Sequence, residues 1–191
     1  MFHAGISGAR GRMGRAVSQV LDARNDVVVS ARFDWGETAD LSLCDVVIDF
    51  STPEASVDLA RRAAEQGAPA LVIGSTGFSP EQEAELHKAA ERIAIVRSGN
   101  FSLGVNILIG LVEHAAMRLD AADWDIEIAE AHHRRKVDAP SGTALMLGEA
   151  AAAGRGADLE DLRTAPYDGV GAEREAGKIG FSTTRAGGIV E

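Results

Sequence analysis

A short apolar segment, Phe2-His-Ala-Gly-Ile-Ser, runs without a linker into Gly8-Ala-Arg-Gly-Arg-Met-Gly, and Met13, Val17, Val20 and Leu21 then recur at helical spacing. Strand, glycine turn and helix in that order admit few folds, because a crossover must carry the chain back before another parallel strand can form. Gly8 permits the tight turn, Gly11 lets a phosphate-bearing ligand approach the helix N-terminus, and Gly14 allows the helix to pack closely on the strand. The spacing is Gly-x-x-Gly-x-x-Gly, with Arg10 where many dinucleotide fingerprints place a glycine. Gly8, Ala9, Arg10, Gly11, Arg12 and Met13 are the candidate pyrophosphate-binding turn. A glycine turn that serves packing alone is the other reading.

Val27-Val-Val-Ser-Ala-Arg-Phe reads as the second strand, and a ribose-binding residue belongs at its end. Asp34 could accept from a 2′-hydroxyl and Arg32 could hold a 2′-phosphate, so NADH and NADPH both stay open. Only about ten residues separate this strand from Asp45-Val-Val-Ile-Asp-Phe-Ser, too few for a crossover helix and a further strand. Regular alternation then resumes. A helix starts at Pro53 and runs to Gln66, Pro69-Ala-Leu-Val-Ile-Gly is a strand, Ser79 caps a helix to about Arg92, and Ile93-Ala-Ile-Val is a strand.

This pattern implies an α/β fold with a Rossmann-like parallel sheet whose strand carboxyl ends form a ligand crevice. Asp49-Phe-Ser-Thr, Gly74-Ser-Thr-Gly-Phe and Ser98-Gly-Asn-Phe-Ser follow successive strands, and their small residues and hydroxyls suit a flat slot for a nicotinamide ring. Ordinary turn chemistry is the alternative for these motifs. An apolar helix from Ser102 to Leu119 leads to a different organisation of strand, polar loop and helix, then a glycine-rich stretch with strands at Lys178-Ile-Gly-Phe-Ser-Thr-Thr-Arg and Gly188-Ile-Val. The expected division is a dinucleotide-binding domain over residues 1–119 and a smaller α+β substrate-binding and oligomerisation lobe over residues 120–191.

The densest chemistry lies in residues 130–144, Glu130-Ala-His-His-Arg-Arg-Lys-Val-Asp-Ala-Pro-Ser-Gly-Thr-Ala. Asp138, Pro140 and Ser141 are helix-start signals, and Gly142 and Thr143 fall in the first turn, where unpartnered amides and the helix dipole favour an anion. His132, His133 and Lys136 set a group that titrates near neutrality and a fixed cation beside that anion. The combination suits holding an acidic substrate and handing it a proton. The alternatives are a solvated basic face and a metal set of Glu130, His132 and His133. Adjacent histidines project differently and no third histidine or cysteine lies nearby, so no metal is expected.

The chain has 191 residues, a formal net charge of −10, 46% apolar and 25% charged residues, ordinary values for a globular protein with a real core. An acidic surface excludes nucleic acid as the expected partner, and the basic run Arg134-Arg135-Lys136 stands out as a local anion-focusing feature. Cys44, the one cysteine, is expected to be a small core residue. No signal peptide and no membrane-spanning run is visible, which makes the cytoplasm the expected compartment.

Residues 130–144 closely resemble the signature of the 4-hydroxy-tetrahydrodipicolinate (dihydrodipicolinate) reductase family. The resemblance extends to Gly8-Ala-Arg-Gly-Arg-Met-Gly, Asp49-Phe-Ser, Gly74-Ser-Thr-Gly-Phe, Asn100-Phe-Ser and Arg185-Ala-Gly-Gly-Ile-Val, and so covers nearly the whole chain. It implies NAD(P)H-dependent reduction of a cyclic imine dicarboxylate in diaminopimelate and lysine synthesis, by a homotetramer in the family. His132 then matches the catalytic histidine and Lys136 the proton donor, with His133, Gly142 and Thr143 contacting substrate. Gly8 to Met13, Gly74, Ser75, Thr76, Ser98, Gly99, Asn100 and Phe101 match cofactor positions. The acidic ribose ligand has no certain match, since Arg32 and Phe33 fall near it. Family members typically continue beyond the Arg-Ala-Gly-Gly-Ile-Val segment, which leads to the expectation of a truncated second lobe with an exposed sheet edge. Another nicotinamide oxidoreductase, or a nucleotide-binding remnant without catalysis, are the rival readings.

Overall fold

The computed structural model describes residues 1–167, 169–171 and 173–189. Two compact units divide between Gly99 and Asn100.

The first unit is a five-stranded parallel sheet in the order β2-β1-β3-β4-β5, built from β1 (Phe2–Ser7), β2 (Val27–Phe33), β3 (Val46–Asp49), β4 (Ala70–Ile73) and β5 (Ile95–Arg97). The helices are α1 (Arg12–Asp22), α2 (Pro53–Gln66) and α3 (Pro80–Ala90). The short connection after β2 contains one 3-10 turn, Leu41–Leu43, and β3 pairs with β1 instead of β2. The strand order therefore reverses at β1, and the carboxyl ends of β1 and β3 flank the switch point where α/β sheets bind ligands.

Local chemistry explains the helix starts. Thr52 and Ser79 cap α2 and α3, Pro53 and Pro80 occupy their first turns, and Ser79 forms a reciprocal capping box with Gln82. Gly67 ends α2 in the left-handed conformation. The core gathers Leu41, Val47, Leu59, Ala63, Leu71, Ile73 and Leu86, with Cys44 buried among them just ahead of β3 and not within a strand. The α1 side is thinner: Gly14 is the buried residue of that helix, and Met13 and Val20 of the expected inward stripe stay exposed.

In the second unit α4 (Leu103–Arg118) packs with β6 (Ile126–His132), α5 (Gly142–Gly154), the short α6 (Leu159–Leu162) and β7 (Ile179–Arg185). β6 and β7 form a parallel pair from Ile126↔Ile179 to His132↔Arg185. Ala116, Ala151, Ala152 and Ile179 make the centre, ringed by Val112, Ile126, Ile128 and Phe181.

Three details differ from the sequence expectation. The units divide at residues 99 and 100 and not near 120, because α4 packs on α5: a Cβ on Gly154 would lie 2.3 Å from the Glu113 carbonyl oxygen. α6 falls inside the stretch expected only to be glycine-rich, since four residues carry no helical period. Gly188, where a strand was expected to start, lies in a turn with Gly187; Val190, the end of that expected strand, lies outside the described residues.

Gly14 tests the packing of the first unit. A Cβ there would sit 2.1 Å from the Gly8 carbonyl oxygen, and backbone cannot yield as a flexible side chain can. Gly14→Ala is expected to destabilise the protein by about 1–3 kcal/mol in urea unfolding. Gly11→Ala, whose Cβ would meet only that oxygen at 3.2 Å, is expected to fold far better.

Candidate active site

The first unit places its candidate ligand residues at the carboxyl ends of four strands. Gly8 takes φ 73°, and a Cβ there would lie 2.5 Å from the Phe50 carbonyl oxygen, so the β1 turn and the chain after β3 touch through backbone. Gly11 is the N-cap of α1 and has no side chain to satisfy the first-turn amides, which leaves them to an anionic group. Gly74 at the end of β4 accommodates the Phe50 ring, whose nearest atom would be 2.1 Å from an added Cβ. The Phe50 ring therefore packs directly against the Gly74 backbone. Beneath it Asp49, fully buried, accepts from Ser51 Oγ at 2.5 Å and from Ser56 Oγ, and Ser56 and Ser75 hydroxyls lie 2.9 Å apart.

A register shift in the β1–β2 pairing, between Ala4 and Gly5, brings Ser7 opposite Phe33 and sets Asp34 at the glycine turn. The Ala9 amide donates to Phe33 O at 3.3 Å, and the Arg10 amide to Asp34 Oδ2 at 3.3 Å. Arg10 donates through Nη2 to Glu37 Oε1 at 2.5 Å, with Nη1 3.6 Å from Asp34. The Asp34 amide and Arg10 together hold the Glu37 carboxyl below its usual range. Phe33, Asp34 and Glu37 line a cavity of about 300 Å³ with Ser7, Trp35, Asp58 and Arg62. Arg32 is not brought to this turn; its guanidinium pairs with Asp22, the last residue of α1, at 2.5 Å. Ser98 closes the first unit, its amide donating to Ile73 O at 3.2 Å.

In the second unit the alternation of β6 puts Ile126, Ile128, Glu130 and His132 on one face, so the strand that builds the core with its first half presents chemistry with its second. Glu130 accepts from both Arg185 nitrogens, Nη1 at 2.8 Å and Nη2 at 2.7 Å, from the Ser141 amide at 3.2 Å, and from His132 Nδ1. The Arg185 contact, with help from His132 and the Ser141 amide, holds the Glu130 carboxyl at about 2 against the cost of burial. Lys136 Nζ lies 2.9 Å from Asp138 Oδ1. Burial pushes Asp138 up, but the hydrogen bond from Lys136 and the charges of Lys136 and Arg185 outweigh it and leave the carboxyl below its usual value. Arg185 Nη2 also donates to Asp138 O at 2.5 Å. One guanidinium on β7 therefore holds both β6 and the loop that carries Lys136.

Ser141 caps α5 through its hydroxyl, which accepts from the Ala144 amide, and Gly142 has open space where a Cβ would sit. Thr143 Oγ1 accepts from Asn100 Nδ2 at 3.2 Å, while Asn100 Oδ1 takes the Ser102 amide, so Asn100 is tied to the start of α5. His133 Nδ1 accepts from the Arg135 amide at 3.1 Å, which places hydrogen on Nε2 in the neutral ring. His132, His133, Lys136, Gly142, Thr143, Asn100 and Phe101 thus belong to one unit, and Gly8 to Met13, Asp34, Gly74 to Thr76, Ser98 and Gly99 to the other. The reading of residues singly missed the structural part of Arg185 and Glu37, and took Glu130 only as a possible metal ligand. Arg185 engages that carboxylate, and among the described residues no group of three or more His, Cys, Asp or Glu is placed to hold a metal. The Arg-Ala-Gly-Gly motif was the visible signal, without a partner attached to it.

Glu130 makes stability pH-dependent with a definite sign. Its folded-state value, about 2, lies below its ordinary 4.5, so its contribution is complete above the ordinary value and is lost as pH falls towards 2. With on the order of 2 kcal/mol at stake, urea midpoints of the wild type are expected to fall between about pH 5 and pH 2. Glu130→Gln is expected to be less stable at pH 7 and to flatten that decline.

The chain matches two family models end to end, "Dihydrodipicolinate reductase, N-terminus" over residues 2–101 and "Dihydrodipicolinate reductase, C-terminus" over residues 104–191. A 4-hydroxy-tetrahydrodipicolinate reductase of Caulobacter vibrioides is 60% identical across 97% of this chain and 76% of its own length. One from Chelativorans sp. is 47% identical over the same shares. A solved dihydrodipicolinate reductase from Paenisporosarcina sp. TG-14, with dipicolinate bound, shares the fold at a TM-score of 0.70 and 23% identity, over 100% of this chain and 80% of that one. With a glycine-turn sheet in one half and the His-His-x-x-Lys loop ahead of a capped helix in the other, the protein belongs to the dihydrodipicolinate reductase family.

Proposed function

We propose that the protein reduces 4-hydroxy-tetrahydrodipicolinate to tetrahydrodipicolinate with a reduced nicotinamide dinucleotide, the 4-hydroxyl leaving as water, within diaminopimelate and lysine biosynthesis. The observation that carries this reading is the pairing, in one unit, of Lys136 on an ionised Asp138 with the capped N-terminus of α5 at Gly142 and Thr143. A cation and unpartnered amides together suit a dicarboxylate, and Gly142 leaves the amides approachable. Lys136 offsets the substrate's charge and delivers a proton to the reduced ring, Asp138 holds its side chain in place, and His133 and His132 complete the polar surround.

The first unit fits the cofactor. Gly8 and Gly11 clear a path to the first-turn amides of α1, which would take the pyrophosphate, and Asp34 stands at the strand end where a ribose hydroxyl would be bound. When bound, the reduced nicotinamide supplies a hydride. Two carboxylates, Asp34 and Glu37, line the same cavity, and Arg10 is already engaged with both. A 2′-phosphate would have to compete with them for that guanidinium, which favours NADH over NADPH.

Turnover is expected when substrate is generated in place from pyruvate and aspartate semialdehyde by the preceding synthase, with nicotinamide oxidation followed by absorbance. Absence of turnover with either cofactor would refute the reductase reading. Lys136→Ala is expected to lower kcat by about 10² to 10⁴ while cofactor affinity stays nearly unchanged. NADH is expected to bind at least about tenfold more tightly than NADPH, a charge effect that Asp34→Asn with Glu37→Gln should shrink; equal affinities in the wild type would remove the two carboxylates from cofactor choice.

A further inference from the structure

Glu130 and Arg185 form a nearly enclosed ion pair that the proposed reaction does not itself require, their side chains 10% and 18% exposed. An isolated pair of this kind seldom adds stability over apolar packing, so its geometry invites a second purpose. Both carboxylate oxygens are fully engaged: Oε1 by Arg185 Nη2 and the Ser141 amide, Oε2 by Arg185 Nη1 and His132 Nδ1. A carboxylate only accepts, so the His132 contact places hydrogen on Nδ1 and leaves Nε2 with the lone pair of the neutral ring. Arg185 is itself fixed by donating to Asp138 O at 2.5 Å and Thr184 O at 2.9 Å.

We propose that Glu130, clamped by Arg185, is the positioning residue that sets the tautomer and ring orientation of His132, while Arg185 cancels the carboxylate's charge so that the site still accepts a dianion. The proposal rests on the reductase reading for the dianion, but the tautomer does not depend on it. The donors at Oε1 predict what an amide would do. In Glu130→Gln they keep the side-chain oxygen at that position, so the amide nitrogen replaces Oε2, gives up the contact with Arg185 Nη1 and donates to His132 Nδ1. Hydrogen is thereby driven onto Nε2. The corresponding carboxylate-to-amide change behind the histidine of a serine-protease triad acts through the wrong tautomer in the same way.

The test is nitrogen-15 imidazole NMR on the full chain, with the His132 signal assigned by its loss in His132→Gln, beside steady-state kinetics. The wild type is expected to show His132 with hydrogen on Nδ1, and Glu130→Gln to show it on Nε2. kcat in Glu130→Gln is expected to fall by about 10² to 10⁴, with KM for the dicarboxylate within about threefold, as loss of an orienting group requires. A wild-type His132 carrying hydrogen on Nε2, or Glu130→Gln with unchanged tautomer and kcat, would overturn the proposal. Should Glu130→Gln not fold, Arg185→Lys keeps the charge and loses the two-pronged grip. It is expected to lower kcat and to mix the two tautomers, and an unaltered tautomer and kcat would count against the clamp. The expected wild-type tautomer in a protein without turnover would sink the reductase reading while supporting the positioning of His132.

Discussion

The two-pronged contact between Arg185 and Glu130 organises the chemistry of the second unit. β6 and β7 pair up to His132 and Arg185, and one further backbone bond, Arg134 N to Gly187 O, reaches the start of the loop that follows, but neither holds its later part. Arg185 reaches back to Glu130 on the neighbouring strand and across to the Asp138 carbonyl, and Glu130 in turn takes the Ser141 amide at the start of α5. Strand, loop and helix are thus fixed to one guanidinium. A planar fork suits this task better than an ammonium, because it meets both carboxylate oxygens and still has a donor for a carbonyl.

The first unit solves its packing problem by omission of side chains. Gly8 and Gly14 let backbone meet backbone where the turn, α1 and the chain after β3 converge, and Gly74 makes room for Phe50. The carboxyl group it does bury, that of Asp49, is satisfied by serine hydroxyls. The N-terminus of α1, with its unpartnered first-turn amides, is left as an anion attractor at the switch point.

Legibility in the sequence followed the range of the interaction. Capped helices were readable because Thr52, Ser79, Ser102 and Ser141 act within three residues of themselves. The 130–144 stretch was readable as an anion site for the same reason, since its cation and its helix start are neighbours in the chain. The partner of Glu130 was not, because 55 positions separate it from Arg185. Likewise Arg32 and Asp34 were equivalent candidates until the fold gave Arg32 the Asp22 carboxylate as its partner and brought Asp34, just past the end of β2, to the glycine turn.

By itself the sequence determined the class of the fold, the glycine turn, the capped helices and the residue types available for an acidic substrate, because propensity, capping and hydrophobic period are properties of a few adjacent residues. Only the tertiary structure decided that α4 belongs with the second unit, that Arg10 is shared by Asp34 and Glu37, and that Arg185 grips Glu130 behind His132. Those outcomes depend on strand register and on the angle at which helices pack. Both are settled by the whole set of long-range contacts at once, and no local pattern carries them.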